Sequence, residues 1–365
     1  MKKHLIALAV AGAVSVPAMA QNVSISGILD TGIGNDSITN GVLTRKTSNT
    51  GLASRNSTSN IAFSGTEDLG GGMKASFFMN QSMNSGSGAL GVRDTWAAIS
   101  GGFGELKIGR YTPGFETITG SYSQGGGTSN TAGTADFMFG SAIQDNAAAT
   151  LTSAPQALYT EIGRGGAGAT GHIQFTTPTM SGLSAVVGYG KASNDNSNTG
   201  NATGATQFEA SLNFVAGPVS IGGGLVRANT FTENNATAER DVELMSLGAS
   251  INLDGIVLRI GHIQRTEDLN VGGTPLVDAD TTSVGVTIPL SGALSAYATA
   301  FTGSDGANGA AANQRDMTGY QLGAQYNLSK RTNVYAIYGQ NEFQGQNVAT
   351  TSKITGTSVG LRHSF

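Results

Sequence analysis

The 365-residue sequence predicts an all-β protein: a closed antiparallel barrel of sixteen strands that crosses a membrane, with a long third loop folded into its lumen. Three observations lead there. Apolar and polar residues alternate with a period of two through much of the chain. Short turns and long polar loops alternate at a regular spacing. The composition, 54 Gly, no Cys and 12% charged residues, suits strands with one lipid face and one wet face better than a packed core.

The same composition excludes other classes. Fourteen Phe and nine Tyr argue against disorder. No Gly-X-Y period is present, so collagen is out. A disulfide scaffold is excluded by the absence of cysteine. The longest apolar run, Leu5 to Val14, is too short for a membrane-spanning helix. A formal charge of -4 without any basic run argues against nucleic acid as a partner.

In chain order, the first element is an address. Met1-Lys2-Lys3-His4 is basic, Leu5 to Val14 is apolar, and Ala18-Met19-Ala20 fits a small-residue cleavage site. Residues 1–20 therefore read as a secretory signal peptide cleaved after Ala20, leaving residues 21–365 as one barrel. Export without cysteine points to a bacterial envelope.

The strands follow. Phe208, Ala210, Leu212 and Phe214 alternate with Glu209, Ser211 and Asn213. Met245, Leu247, Ala249 and Ile251 alternate with Ser246, Gly248 and Ser250, and Tyr320 to Leu328 repeats the pattern. Turn signals at Gly217, Asp254, Ser291 and Ser329 are spaced 37, 37 and 38 residues apart. Two strands, one tight turn and one polar loop fill each period. The resulting sixteen spans are 22–34, 57–67, 72–82, 92–100, 103–112, 169–178, 183–193, 205–216, 218–229, 240–252, 255–267, 281–290, 293–303, 317–328, 331–342 and 354–365. A repeat solenoid would need a sequence consensus in each period, and only spacing and alternation repeat here.

One connection breaks the spacing. The turns near 102 and 180 are 78 residues apart, and the excess lies between about 113 and 168. Loops of that length are usually functional. Its apolar patch, Thr134 to Phe139, has no use at an exposed tip but suits packing against an inner wall. The loop is accordingly expected to fold inward and narrow the lumen.

Five motifs then resemble those of Gram-negative general diffusion porins of the beta-proteobacterial type: Val23 to Asp30 (VSISGILD), Ser64 to Ala75 (SGTEDLGGGMKA), Arg93 to Arg110 (RDTWAAISGGFGELKIGR), Ser329 to Tyr335 (SKRTNVY) and Val359 to Phe365 (VGLRHSF). The resemblance implies a sixteen-stranded homotrimer in the outer membrane, among its lipids, passing small hydrophilic solutes and ions. It implies that Phe365, sharing a strand face with Leu361 and His363, addresses the barrel-assembly machinery. It also implies a constriction between the third loop and arginines of the facing wall. Arg93 and Arg110 stand at two of the family's arginine positions. Asn60 stands where the family has a third, and Asn80 where it often has an acid. Arg164 lies about four residues from another. On the loop side the candidate acids are Glu116 and Asp136; Lys74, Glu105 and Lys107 are further candidates for the lumen.

Other chemistry finds little support. Gly356-Thr357-Ser358-Val359-Gly360 matches a nucleophile motif but lies within an alternating strand, so no enzyme activity is expected. His172, His262 and His363 are far apart in sequence, and no metal or other cofactor is expected. Asp195 and its polar neighbours read as plain loop. Two alternatives stay open beside the general channel: a substrate-selective porin, for which Tyr111, Phe115 and Tyr122 are the available aromatics, and a surface-binding or adhesin barrel.

Overall fold

A computed structural model describes residues 23–40, 43–47, 54–83, 88–122, 172–194, 203–232, 240–269, 275–307, 314–345 and 351–365. The signal-peptide residues, Asp136, Arg164, Asp195 and the Thr134 to Phe139 patch lie outside the described residues.

The described chain is one antiparallel sheet closed on itself. Its strands are β1 (Ser24–Asn40), β2 (Leu43–Thr47), β3 (Asn60–Gly70), β4 (Met73–Met83), β5 (Leu90–Gly101), β6 (Gly104–Arg110), β7 (His172–Thr176), β8 (Leu183–Asn194), β9 (Thr203–Ala216), β10 (Val219–Thr232), β11 (Arg240–Leu253), β12 (Ile256–Leu269), β13 (Pro275–Pro289), β14 (Leu294–Ala307), β15 (Gln314–Asn327), β16 (Thr332–Gly345) and β17 (Thr351–Ser364). Sixteen are staves of the barrel. The other, β2, is a short arm on the loop end of β1, whose turn end pairs with β3 along the same edge. Each of the sixteen sequence spans falls on a stave, with ends shifted by a few residues. The span expected at 169–178 contracts to β7 at His172–Thr176.

Closure runs along the β1–β17 seam, from Ile28 opposite Ser364 to Asn40 opposite Ser352. Phe365 finishes the seam: its N–H donates to the Gly27 carbonyl and its carbonyl accepts from the Gly27 N–H, both at 3.1 Å. Its ring lies over Gly27, where an added Cβ would sit 2.6 Å from Phe365 Cζ. No strand edge is left open at this seam, as a hydrocarbon surrounding demands.

The turns carry the chemistry their spacing foretold. Asp254 and Gly255 have φ of 51° and 96°, the left-handed pair that a two-residue hairpin turn needs. Alternation then sorts the residues. Ile221, Leu247, Ile260, Leu322 and Val359 are among a broad set of exposed apolar side chains on one face. Such a continuous apolar surface is untenable in water and natural in lipid. The opposite face is polar and small: Ser211, Gly222, Gly224, Ser246, Gly248 and Ser283 are buried there.

Besides the short arm β2, which none of the sequence spans covers, a helix was not legible in the sequence. Helix α1 (Gly114–Tyr122) follows β6 in what reads as strand-free loop. Two glycines and a β-branched run make it a poor helix by propensity. It is held by tertiary packing, with Pro113 pre-setting the backbone just before its first turn and Glu116 in that turn, where a negative charge suits the helix dipole.

Candidate functional site

Helix α1 rests on the polar, glycine-rich face of β9 to β12. The wall makes room by omission. A Cβ on Gly224 would meet Phe115 Cα at 2.9 Å, one on Gly222 would meet Ile118 Cδ1 at 2.7 Å, and one on Gly248 would overlap Tyr122 Cβ. Phe115, Ile118 and Tyr122 are all buried in consequence.

Both ends of the helix are tied. At the first turn the Gly114 N–H donates to Glu209 Oε2 at 2.9 Å. The other carboxylate oxygen of Glu209 accepts from Gln174 Nε2 at 2.8 Å. Glu209 is 1% exposed, and a carboxylate so buried needs such donors. At the last turn the Tyr122 hydroxyl donates to Asn213 Oδ1 at 2.6 Å and also meets Ser220 Oγ. Just before the helix, the Tyr111 hydroxyl donates to the Ile173 carbonyl at 3.1 Å. Burial and then the charge of Glu209 push that phenol above its ordinary range.

The wall of β4 to β6 carries the second part of the site. A bulge in the β4–β5 ladder lets Met79 pair with Thr95 and Gln81 with Val92. Arg93 and Asp94 together therefore oppose Asn80 alone, and simple alternation cannot assign Arg93 a face. Asn80 is buried, and Asp94 accepts from Thr112 Oγ1 at 3.0 and 3.2 Å. Arg93 and Arg110 both have a buried Nε, so neither guanidinium stands out on the open apolar surface. Asn60 lies two residues along from the Ala62–Asn80 pair and donates to the Thr58 carbonyl at 3.1 Å. The structure thus groups Asn60, Asn80, Arg93 and Arg110 along β3 to β6. It places Glu116 on α1, which is seated on other strands.

Sequence reasoning missed Asp94 and Glu209. Asp94 sits beside Arg93 in the bulge and accepts from Thr112. Lys107, one of the further candidates, is held at 3.3 Å from Glu105 and from Gln174 Oε1, with its ammonium 4.6 Å from the Trp96 ring centroid. That places a cation over an aromatic face. Glu209 was visible only as one polar residue in an alternating strand. An acid flanked by Gln207 and Ser211 on the same face was the available signal. Tyr111, Phe115 and Tyr122 are anchors rather than an aromatic track, since each is buried. Gly356 to Gly360 lies wholly inside β17, without the strand-to-helix turn a nucleophile elbow requires.

A closed sixteen-stave barrel with an apolar belt and a polar inner face is a membrane-spanning channel. The Gram-negative porin family model matches residues 7–346, and the chain belongs to that family. The outer membrane porin protein 32 of Delftia acidovorans is 30% identical over the full length of both chains. The major outer membrane protein P.IB of Neisseria meningitidis is 27% identical, again over both full lengths. Among solved structures, an anion-selective porin from Comamonas acidovorans superposes with a TM-score of 0.69 at 23% identity, covering 94% of this chain and all of that one. Salmonella typhi OmpF, in complex with daunomycin, gives 0.64 at 14% identity over 94% and 98%. As a porin of the outer membrane, the protein forms a water-filled channel for passive diffusion of small hydrophilic solutes and ions.

Proposed function

We propose that the long third connection folds into the lumen and that α1 borders the narrowest zone of a general, weakly selective channel. The observation that carries this reading is the seating of α1, pinned by Glu209 and Tyr122 on the face turned away from the apolar belt. Charges of both signs then border the path. Arg93, Arg110 and Lys107 stand with Asp94 and Glu105 on the wall, and Glu116 stands on the helix. Asn60, Asn80, Asp136 and Arg164 complete the proposed constriction. Fixed charges across a narrow aqueous gap bias ion passage through the field they set up. The mixed signs favour general diffusion over a dedicated binding track, as does the burial of all three aromatics near the loop. The test is liposome swelling with sugars of increasing size. Rates that fall smoothly with solute size support general diffusion, and one sugar far off that line overturns it.

Three further assignments belong to the same reading. Residues 1–20 direct export and are removed after Ala20. The chain assembles as a homotrimer through the outward apolar faces of its first and last strands, with residues of about 82–91 reaching a neighbour. Small outward residues, Ala296, Ala298, Ala324 and Ala336, line a shallow apolar depression beside Ile33 and Val359, and small residues permit close approach in lipid. Phe365, 43% exposed at the seam, is the residue offered to the barrel-assembly machinery.

A further inference from the structure

A second piece of non-strand chain lies on the polar face. Residues Ser54 to Ser59, between β2 and β3, wrap around the carboxylate of Asp30, which is fully buried. Asp30 Oδ1 accepts the Arg55 N–H at 2.8 Å, the Asn56 N–H at 3.3 Å and the Tyr335 hydroxyl at 2.9 Å. Its Oδ2 accepts the Ser57 N–H at 3.3 Å. The backbone of Asp30 takes part as well, donating to Ser59 Oγ and accepting from it, both at 2.9 Å. A loop that merely passed over the rim would not need a buried carboxylate to gather its amides.

The arginine of this segment is laid along β1. A Cβ on Gly32 would lie 3.2 Å from Arg55 Cγ, and one on Gly34 would lie 2.8 Å from Arg55 Cζ. Glycine at these two inward positions opens the trough that the side chain fills. The place in the barrel matters more. Segment 54–59 is fixed to β1 and β16, whereas α1 is seated on β9 to β12. Counting staves around the closed sheet, with β2 left out, β1 and β10 are eight apart in either direction. The two elements therefore face each other across the barrel. One carries Arg55; the other carries Glu116 and no basic residue in its last turn.

We propose that Ser54 to Ser59 is the second jaw of the narrowest zone, latched by Asp30, and that Arg55 is a selectivity-determining charge that favours small anions. The proposal rests on the reading that α1 borders that zone. A fixed charge set in a low-dielectric wall acts on passing ions through its field and needs no direct contact with them. Asp30 lies close to Arg55, so removing the arginine leaves a net negative wall at this point.

The experiment is the reversal potential of the full-length protein in planar bilayers under a potassium chloride gradient. Arg55→Lys retains the wild-type value. Arg55→Gln lowers the anion-to-cation permeability ratio about twofold, and Arg55→Glu roughly fourfold. Should Arg55→Glu prevent assembly, Arg55→Gln carries the test alone. A wild-type ratio in the tested variant, while Arg93→Gln lowers it, overturns the role of Arg55 and leaves the α1 reading standing. A wild-type ratio in Arg55, Arg93 and Glu116 variants alike overturns both. The latch has its own readout. Tyr335→Phe keeps its ring over Gly360 and removes only the hydroxyl that ties Asp30 and the Arg55 backbone to β16. It should increase open-channel current noise about twofold, and an unchanged trace contradicts the latch.

Discussion

Helix α1 and the segment Ser54 to Ser59 both lie on the polar face of the barrel, but they are held by different physics. The helix is held by shape. Its buried Phe115, Ile118 and Tyr122 fill space that Gly222, Gly224 and Gly248 leave empty, and hydrogen bonds tie its two ends. The segment is held by charge, since one buried carboxylate gathers three backbone amides and a phenol. A contact made by omission fails when volume is added. A contact made by a carboxylate fails when the acceptor is removed. The two pieces should therefore respond to opposite kinds of substitution.

The largest effect is expected where volume is added under the helix. Gly248→Val places a side chain into Tyr122 and within 3.0 Å of the Ile260 carbonyl. Overpacking of this kind costs about 3 kcal/mol. Urea-dependent refolding into vesicles should register that loss, and protease should newly cleave near α1. Asp30→Ala comes next. It leaves buried N–H and O–H donors without their acceptor, for a loss of about 2–3 kcal/mol by the same assay. Cleavage should now appear near residues 54–59 and not near α1. Were the two cleavage patterns alike, the contrast between the two attachments would be wrong. Glu209→Gln should cost less, about 1 kcal/mol, because an amide oxygen still accepts the Gly114 N–H. The smallest change in stability is expected for Arg93→Gln, under about 0.5 kcal/mol. Its effect should appear in the reversal potential instead, shifted toward cations.

Legibility in the sequence divides along the same line. The staves were readable because lipid on one face and water on the other impose strict alternation, as in Met245 to Leu253. Asp254-Gly255 marked its hairpin because few residue pairs adopt two positive φ angles. The helix was unreadable because Gly114, Thr117, Ile118 and Gly120 argue against it locally, and only the glycines of distant strands allow it. The face of Arg93 was unreadable because the bulge opposite Asn80 breaks the parity that alternation relies on. Resemblance supplied the positions of Arg93, Arg110, Asn60 and Asn80, and the wall of β3 to β6 brings these four together. It gave no role to Asp94, which sits beside Arg93, or to Asp30, whose role depends on Tyr335, 305 residues away in the chain, although both lie within the matching motifs. Long-range pairing of that kind leaves no local trace.

The central claim is that α1 stays against the wall of β10 while the channel conducts. Phe115→Cys with Gly224→Cys tests it in a chain that has no other cysteine. A Cβ on Gly224 lies 3.4 Å from Phe115 Cβ, at the short edge of the range a disulfide spans. The account predicts that the pair oxidises in native outer membranes and that single-channel conductance is the same before and after reduction. Failure of the pair to cross-link, or a conductance that rises on reduction, would contradict it.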